Sequence, residues 1–493
     1  MNTTRREFLK VIGAGACFTA ARAASSAAVA KKPNIVLCMA DDQGWGDMAY
    51  YGHKVLKTPN FDAMAAETLR FDRFYAAAPV CSPTRGSVMT GRHPNRFACF
   101  KWGHSLRPQE VTVAEALKTA GYVTGHFGKW HLGSIHKDSQ VSPGGSGFDE
   151  WLSAANFFDN DPILSRNGVA VQTKGESSMV TVDAAIEFIR KHAKSSKPFL
   201  AVVWFGSPHG PHRAIEKDRA AYADQSKGLQ NFLGEITGMD RAFGKLRKEL
   251  ANSGLRDNTI LWYCSDNGGL PRVGSTGGRA NKGSTYDGGL RVPAIMEWPS
   301  RIAKPRITNV PCNTSDIYPT LLEIAGVKIK NQPPLDGISL VGLIDGKMKS
   351  RPRPMGFWDY PAGGKGVRSD KILADLLKAQ KEGREITDPA VIRPDAGKIT
   401  QQYPEDSFPG RAAWLDWPWK LHRIQSGRKS RKKADTKAPA PGGVKLELYN
   451  LAEDPMEAKN LVDQHGDRAK PMLAALERWL ASVVRSLNGK DYQ

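Results

Sequence analysis

Short apolar runs alternate with amphipathic stretches from about residue 33 to about residue 300. Strands buried on both faces, as in a parallel sheet, are predicted at 34–40, 198–205 and 259–265. Apolar residues at helical spacing predict helices over 60–67, 112–120, 178–193 and 231–251. This alternation predicts an α/β fold, in which a large mixed, mostly parallel sheet is sandwiched by helices.

The pattern changes beyond about residue 351. Antiparallel strands of a smaller sheet are predicted at 355–360, 412–424 and 445–451, and a helix that packs on them is predicted over 467–487. Between these elements, 371–382 has a helical composition, whereas the segment up to residue 409 is polar and irregular. We therefore expect an insertion near the mouth of a site.

Chain length supports more than one domain, because about 460 residues after a leader exceed what one hydrophobic core usually holds. The predicted division is an α/β domain over 31–350 and a smaller α+β subdomain over 351–493. The insertion would span about 361–410, and a basic loop would span about 425–443.

The segment 1–30 is typical of an export signal. Residues 4–10 resemble a twin-arginine motif, the apolar run 11–20 is too short to span a membrane, and 28–30 offers a small-residue cleavage site. We expect a mature protein that begins near Lys31, has no transmembrane segment and passes through the twin-arginine translocase. Its predicted location is the bacterial periplasm or the medium, and lipidation of Cys17 is left open.

The formal net charge of +20 permits nucleic acid, a membrane surface or a polyanionic polysaccharide as a partner. Part of this charge lies in the leader, and part lies in a Pro/Ala/Gly-rich stretch over 428–437 that is typical of a solvated loop. No nucleic-acid motif accompanies it, which favours an acidic glycan over nucleic acid. The six cysteines include no close C-x-x-C pair, so zinc and dithiol redox chemistry are not indicated.

The stretch Cys81-Ser-Pro-Thr-Arg85 lies at a predicted helix start. Pro83 has a backbone φ suited to a first helical turn, and apolar residues follow at positions 88 and 89, so a short helix should begin near Ser82. Residue 81 would then lie at a helix N-terminus, where backbone N–H groups favour an anion. Taken alone, the motif also fits an ordinary buried cysteine beside a turn.

Acidic and amide side chains directly follow two predicted strands. Asp41 and Asp42 come after the strand 34–40, and Asp266 and Asn267 come after the strand 259–265. Because ligand-binding groups of parallel sheets gather at the carboxyl ends of strands, these two distant segments are expected to converge on one edge.

Seven blocks of the chain, in order, resemble the type I sulfatases, which depend on formylglycine and belong to the alkaline phosphatase superfamily. They include Gly-Lys-Trp-His-Leu-Gly at 128–133 and Gly-Gly-Leu-Arg-Val-Pro at 288–293. The full set covers 33–47, 79–91, 121–133, 207–212, 265–269, 281–293 and 448–455. The resemblance implies an alkaline-phosphatase-like fold and hydrolysis of sulfate esters.

The resemblance further implies that a formylglycine-generating enzyme converts Cys81 to formylglycine. The hydrated aldehyde offers one hydroxyl to attack sulfur and a second whose deprotonation expels sulfate. A divalent cation would be held by the modified residue 81 together with Asp41, Asp42, Asp266 and Asn267. Four oxygen donors suit a hard ion, which is usually calcium in this family, with magnesium as the open alternative.

The family's remaining polar residues correspond to five positions of this chain. Arg85 would orient the formylglycine hydrate, because a guanidinium keeps its charge and forms paired hydrogen bonds. Lys129 and Lys282 would bind sulfate. His131 would act as base when sulfate is expelled, and His209, with Lys282, would protonate the departing alcohol.

Other polar and aromatic residues receive weaker assignments. Asp47 is interpreted as a turn residue, and His212 as a neighbour of the site. Candidates for a sugar platform are Trp102, Trp358, Tyr360, Trp414, Trp417 and Trp419. For Trp417 and Trp419, core packing within a strand is the favoured interpretation.

The leading hypothesis is an exported, metal-dependent hydrolase that releases inorganic sulfate from a carbohydrate or aryl sulfate through a covalent sulfo-enzyme intermediate. Two alternatives are a formylglycine-dependent phosphonate or phosphodiester hydrolase and a non-catalytic protein that binds polyanionic glycans. Substrate specificity is expected to come from the segments 134–161, 270–280 and 358–410, because such loops vary most freely around a site.

Overall fold

The computed structural model describes residues 31–425 and 443–492 of the chain. Its strands are β1 (Asn34–Ala40), β2 (Leu69–Phe71), β3 (Phe74–Tyr75), β4 (Val123–Lys129), β5 (Glu150–Ala154), β6 (Ile163–Arg166), β7 (Val169–Gln172), β8 (Phe199–Trp204), β9 (Thr259–Ser265), β10 (Arg291–Val292), β11 (Ala294–Glu297), β12 (Arg306–Thr308), β13 (Cys312–Asn313), β14 (Met355–Asp359), β15 (Gly410–Asp416), β16 (Trp419–Gln425) and β17 (Val444–Asn450).

The α-helices of the same residues include several of a single turn. They are α1 (Pro59–Glu67), α2 (Cys81–Thr90), α3 (Val113–Lys118), α4 (Ser177–His192), α5 (Glu216–Arg219), α6 (Lys227–Asn252), α7 (Asp287–Leu290), α8 (Ile317–Ala325), α9 (Val341–Ile344), α10 (Ser369–Lys381), α11 (Pro389–Ile392) and α12 (Gly466–Leu487). Short 3₁₀ helices lie at Ala49–Tyr51, Pro94–Phe97, Gly144–Ser146, Ala220–Tyr222, Arg256–Asn258 and Thr314–Asp316.

A ten-stranded sheet forms the centre of the larger layer, in the order β12-β2-β11-β9-β1-β8-β4-β5-β6-β7. The five strands from β9 to β5 run parallel, and all seven residues of β1 are buried between β8 and β9. The pairing of Ala40 with Ser265 places the carboxyl ends of β1 and β9 side by side. This register brings the residues that follow both strands to one edge.

Helices cover this sheet through their apolar faces. The long helix α6 buries Phe232, Ile236 and Phe243 and packs against α1 and α4. Helix α2 is buried along its whole length and packs against α3 and α8. Such complete burial keeps α2 out of water and holds its first residue at the sheet edge.

The small sheet is antiparallel, with the order β14-β15-β16-β17. Helix α12 packs on it through Leu476, Leu480 and Val483, which contact Trp358 and Phe408. The apolar spacing of α12 therefore predicts both the helix and the face that it buries.

The predicted fold class is confirmed, and the three strands predicted in the larger layer are present within one residue at each end. The segment 412–424 was wrongly predicted as a single strand, because β15 and β16 form a hairpin there. Trp417 lies in its turn and therefore not within a strand, and it packs against the core beneath the small sheet. Pro418 marks this turn in the sequence, but the prediction relied on the apolar residues on both sides of it.

The predicted export signal at 1–30 and most of the predicted basic loop, 426–442, lie outside the described residues. The domain boundary at residue 350 stays a prediction. Among the residues that the structure describes, none of the helices is both long and apolar enough to cross a membrane.

Candidate active site

The carboxylates predicted at two strand ends meet at the edge of the large sheet. The backbone N–H of Asp266 donates to the carbonyl of Ala40 (3.2 Å), and the backbone N–H of Asp42 donates to Oδ1 of Asp266 (3.1 Å). Asp41, Asp42, Asp266 and Asn267 are all buried. The predicted convergence of these segments is confirmed.

Cys81 is the first residue of α2, one position before the predicted start near Ser82. The hydroxyl of Thr84 donates to the carbonyls of Ala78 (2.8 Å) and Val80 (3.2 Å), which ties the first turn to the preceding segment. The Cys81 Sγ and one carboxylate oxygen each from Asp41 and Asp266 lie within 4.8 Å of one another. The chain thus places residue 81 among the acidic side chains that follow β1 and β9.

The donor set fits a hard divalent cation. Within the described residues, Oδ1 of Asp41 and Oδ1 of Asn267 are buried oxygens that accept no hydrogen bond. Buried polar atoms are normally satisfied, so two unpartnered oxygens beside the Asp266 carboxylate indicate a ligand that they share. Carboxylate and amide oxygens are the ligands that calcium and magnesium prefer.

Arg85 lies one helical turn after Cys81 and is completely buried. Its Nε and Nη2 both donate to Oδ2 of Asp266, at 3.0 and 2.7 Å, and its Nη1 donates to the carbonyl of Lys129 at 3.1 Å. The guanidinium also lies over the ring of Trp204, 5.1 Å from the centroid. These contacts orient Arg85 toward the carboxylate cluster.

Two lysines complete a ring of positive charge. Lys129, the last residue of β4, donates to Oδ2 of Asp41 at 2.6 Å, and both side chains are fully buried. Lys282 lies 2.5 Å from Oδ1 of Asp42, and its backbone N–H donates to the carbonyl of Gly269. Three cations around buried carboxylates can hold an anion such as sulfate next to residue 81.

His131 is a buried imidazole, and neither ring nitrogen has a hydrogen-bond partner among the described residues. Burial, with the charges of Lys129 and Arg85, holds the pKa of His131 well below its usual range. Its backbone φ of 55° lies in the left-handed region, which is uncommon for a residue with a side chain. A neutral, unpartnered imidazole can accept a proton.

His209 follows β8 and lies on the open side of the cluster, with Nε2 3.6 Å from Oδ2 of Asp42. Its Nδ1 lies 2.6 Å from the carbonyl oxygen of Gly210, a contact that requires a proton on Nδ1. Burial lowers the pKa of His209 to about 4, although the Asp42 carboxylate opposes the shift. Its Nε2 atom faces Asp42 and the carboxylate cluster.

Burial acts on the acidic groups as well. Burial and the neighbouring charge of Asp41 raise the pKa of Asp266 to about 6. Burial alone would raise the pKa of Asp42, but the charges of Lys282 and His209 hold it well below its usual range. Burial raises the pKa of the Cys81 thiol, which opposes a reactive thiolate at this position.

Asp47 and His212 are two further polar residues that were assigned from the sequence. Asp47 is confirmed as a turn residue, since its carboxylate accepts the N–H groups of Gly44 (2.8 Å) and Ser275 (2.6 Å). His212 packs against Phe232 and lies 4.0 Å from Glu235, outside the groups of acidic and metal-ligating side chains in the site.

The aromatic residues proposed as a sugar platform fall into two groups. Trp102 is 46% exposed. Trp358, Tyr360, Trp414, Trp417 and Trp419 pack in or against the apolar clusters of the small sheet.

Two features of the site were not predicted. The ring of Phe157 stacks on His209, with centroids 5.3 Å apart. A buried network joins the small sheet to α7: Lys420 lies 2.6 Å from Asp287 and 3.2 Å from Glu457. Lys420 gives no distinctive local signal, because its strand also carries His422, Arg423 and Gln425.

Comparisons with known proteins agree with this geometry. The family model described as Sulfatase matches residues 33–327. The chain is 30% identical over 377 residues to N-acetylgalactosamine-6-sulfatase of Canis lupus familiaris. The aligned region covers 66% of this chain and 69% of that protein. It is 32% identical over 383 residues to arylsulfatase A of Homo sapiens. That aligned region covers 70% of this chain and 74% of arylsulfatase A.

A solved structure supports the fold independently. The crystal structure of Ps i-CgsB in complex with k-i-k-neocarrahexaose matches with a TM-score of 0.72 and 24% identity. The match covers 91% of this chain and 93% of that one, so it extends beyond the larger layer.

Proposed function

Because this chain belongs to the sulfatase family, we propose that it releases sulfate from a carbohydrate sulfate through a formylglycine made from Cys81 and a covalent sulfo-enzyme intermediate. Membership of the family makes it a hydrolase of sulfate esters. The observation that carries the formylglycine proposal is the approach of Cys81, Asp41 and Asp266 to within 4.8 Å of one another, all buried.

Residue 81 is the proposed nucleophile. As a hydrated aldehyde it supplies one hydroxyl that attacks sulfur and a second whose deprotonation expels sulfate. The chain supports this assignment in two ways. Residue 81 lies at a helix N-terminus, which favours an anion, and burial raises the pKa of an unmodified thiol, so Cys81 itself is a poor nucleophile.

Asp41, Asp42, Asp266 and Asn267 are the proposed ligands of a divalent cation, with calcium preferred over magnesium. The unpartnered oxygens of Asp41 and Asn267 support this assignment. When bound, the cation would polarise a sulfate oxygen and hold an oxygen of residue 81.

Lys129 and Lys282 are the proposed sulfate-binding residues, because each carries its charge to the carboxylate cluster at hydrogen-bond distance. Arg85 would orient the hydroxyls of residue 81. All three cations are pre-positioned by buried contacts, so they need little reorganisation as charge shifts in the reaction.

His131 and His209 are the proposed proton carriers. His131 is neutral and unpartnered, which suits it to take the proton from the second hydroxyl of residue 81. His209, held by Phe157 and Gly210, would take up a proton on Nε2 when a bound sulfate ester brings negative charge to the site, and with Lys282 it would deliver that proton to the departing alcohol oxygen.

Two further partners belong to this proposal. A formylglycine-generating enzyme would modify Cys81, and the twin-arginine translocase would export the folded protein to the periplasm or medium. The leader that supports export lies at 1–30, outside the described residues.

Mass spectrometry of the peptide that spans residue 81 tests the central assignment, when the protein is co-expressed with a formylglycine-generating enzyme. The expected result is the mass loss of thiol-to-aldehyde conversion, accompanied by sulfate release from 4-nitrophenyl sulfate. An unmodified peptide from an active enzyme would contradict the mechanism. Faster turnover of a matched aryl phosphodiester would favour the phosphodiesterase alternative.

A further inference from the structure

A cavity of about 220 Å³ lies beside the candidate active site and is called the second cavity, to distinguish it from that site. Gly103, in its wall, donates its N–H to Oγ of Ser82, the neighbour of Cys81 (2.9 Å). Gly133, also in the wall, follows His131 by two residues, and Ala155 precedes by two the Phe157 ring that stacks on His209. The cavity therefore shares three backbone segments with the catalytic groups.

Two of the side chains that line this otherwise mostly apolar cavity carry positive charge. Lys365 and Arg393, both from the insertion at 361–410, contribute to its lining, and no acidic side chain lines it in the described part of the chain. Neither Lys365 nor Arg393 forms an ion pair within residues 31–425 and 443–492. Burial and the nearby charge of Arg393 lower the pKa of Lys365, although Asp395 partly opposes them.

An exposed aromatic ring lies next to this charge. Trp102 is 46% exposed and immediately precedes Gly103 of the cavity wall. The backbone N–H of Lys365 donates to the carbonyl of Trp102 at 2.9 Å. A Cβ atom on Gly364 would lie 2.1 Å from the indole, so the absence of a side chain there allows the insertion to support the ring.

The backbone at Arg393 is strained. Its φ of 61° places a residue with a long side chain in the left-handed region, at the end of α11. Such strain persists where the surrounding structure holds it, and it often accompanies a binding role. Here it accompanies a guanidinium in the wall of the cavity.

We propose that Lys365 and Arg393 bind a second anionic group of the substrate, on the sugar next to the sulfate ester that is cleaved, while Trp102 packs against that sugar ring. The anion is a carboxylate or a second sulfate. This inference rests on the proposed function and adds the substrate class: a polyanionic glycan. Arginine and lysine pair with either anion, and an aromatic face packs against the apolar face of a sugar.

The test compares four substrates of the activated enzyme: 4-nitrophenyl sulfate and three disaccharides that carry the same cleavable sulfate ester. In the three disaccharides the neighbouring sugar is neutral, carries a carboxylate or carries a second sulfate. The variant with both Lys365→Met and Arg393→Met should lose about 10- to 100-fold in kcat/KM on the anionic disaccharides, the range for lost charged hydrogen bonds. Rates on 4-nitrophenyl sulfate and the neutral disaccharide should stay within about twofold of the parent. The more affected anionic disaccharide identifies the anion.

Lys398→Met is the matched control, because Lys398 is exposed in the same insertion and does not line the cavity. An equal loss on all four substrates, or no loss on any, overturns the proposal. Calorimetry measures binding of the three disaccharides to the Cys81→Ala protein, with and without the two substitutions. The loss of affinity should rank the disaccharides in the same order as the loss of kcat/KM, without turnover. Absent hydrolysis of every substrate by the parent contradicts the proposed function, and these binding data still decide the second-anion proposal.

Discussion

Arg85 donates two hydrogen bonds to one carboxylate oxygen of Asp266, a residue 181 positions later in the chain. The pair joins the first turn of α2 to the end of β9, and both side chains are fully buried. Because Asp41 also lies 3.7 Å from the same guanidinium, Arg85 offsets part of the repulsion between the two carboxylates. The nucleophile position and the acidic cluster are thus one structural unit.

Replacing Arg85 with methionine should therefore destabilise the fold strongly. Breaking a buried pair leaves an uncompensated charge, which costs about 3–5 kcal/mol in the free energy of unfolding. Urea denaturation measures this loss. Arg70→Met is the control, since the partly exposed Arg70–Asp72 pair should contribute only about 0–1 kcal/mol. Equal losses for the two variants would contradict the structural role of Arg85.

The Cys81→Ala substitution should abolish turnover and leave the fold intact. Loss of a covalent nucleophile costs on the order of 10⁴-fold or more in rate. The small side chain is removed from a helix that is held by many other buried contacts. Hydrolysis of 4-nitrophenyl sulfate and thermal unfolding provide the two measurements. Residual turnover near that of the parent would show that residue 81 is not the nucleophile.

Calcium should stabilise the protein through the oxygens of Asp41 and Asn267. At a concentration of one hundred times Kd, a ligand that binds only the folded state raises the free energy of unfolding by about 2.7 kcal/mol. Denaturation with calcium or with a chelator measures the difference, and chelation should also lower turnover. A parallel series with magnesium identifies the preferred ion.

The variant Asp41→Asn should lose this calcium response. Asp138→Asn, which alters an exposed aspartate, should retain it. If Asp41→Asn responds to calcium as the parent does, the proposed cation site is wrong.

Glu457 should make stability depend on acid pH. Burial alone would raise its pKa, but the charge of Lys420 and the contact with His422 (2.7 Å) lower it to about 2. A glutamate in the unfolded chain has a pKa of about 4.3, so the folded state favours the ionised form by about 3 kcal/mol. That stability is present above about pH 4.3 and is lost as the pH falls toward 2.

The Glu457→Gln variant tests this dependence. Near pH 7 it should be less stable than the parent by about 3 kcal/mol, and the difference should shrink as the pH falls from about 4.3 toward 2. Glu453→Gln, at an exposed position of the same loop, should follow the parent at every pH. A stability difference that is independent of pH would show that the Glu457 charge does not stabilise the fold.

Much of the site could be predicted because its residues follow recognisable local patterns. Asp41 and Asp266 follow continuous apolar runs, and Pro83 marks the helix start at Cys81. The turn at Trp417 was missed because the apolar residues on both sides of it outweighed Pro418, which marks the turn. Local spacing therefore predicted strand ends well and the hairpin poorly.

The sequence by itself determined the three central strands of the large sheet, the longer helices, the order of the strand-end carboxylates and the family, since these depend on residue types at short spacing. Only the tertiary structure decided that Lys420 pairs with Asp287, that Phe157 stacks on His209, and which side chains line the second cavity. Such contacts join segments far apart in the chain. Their formation depends on how strands pair and helices pack, and no periodicity along the chain records that geometry.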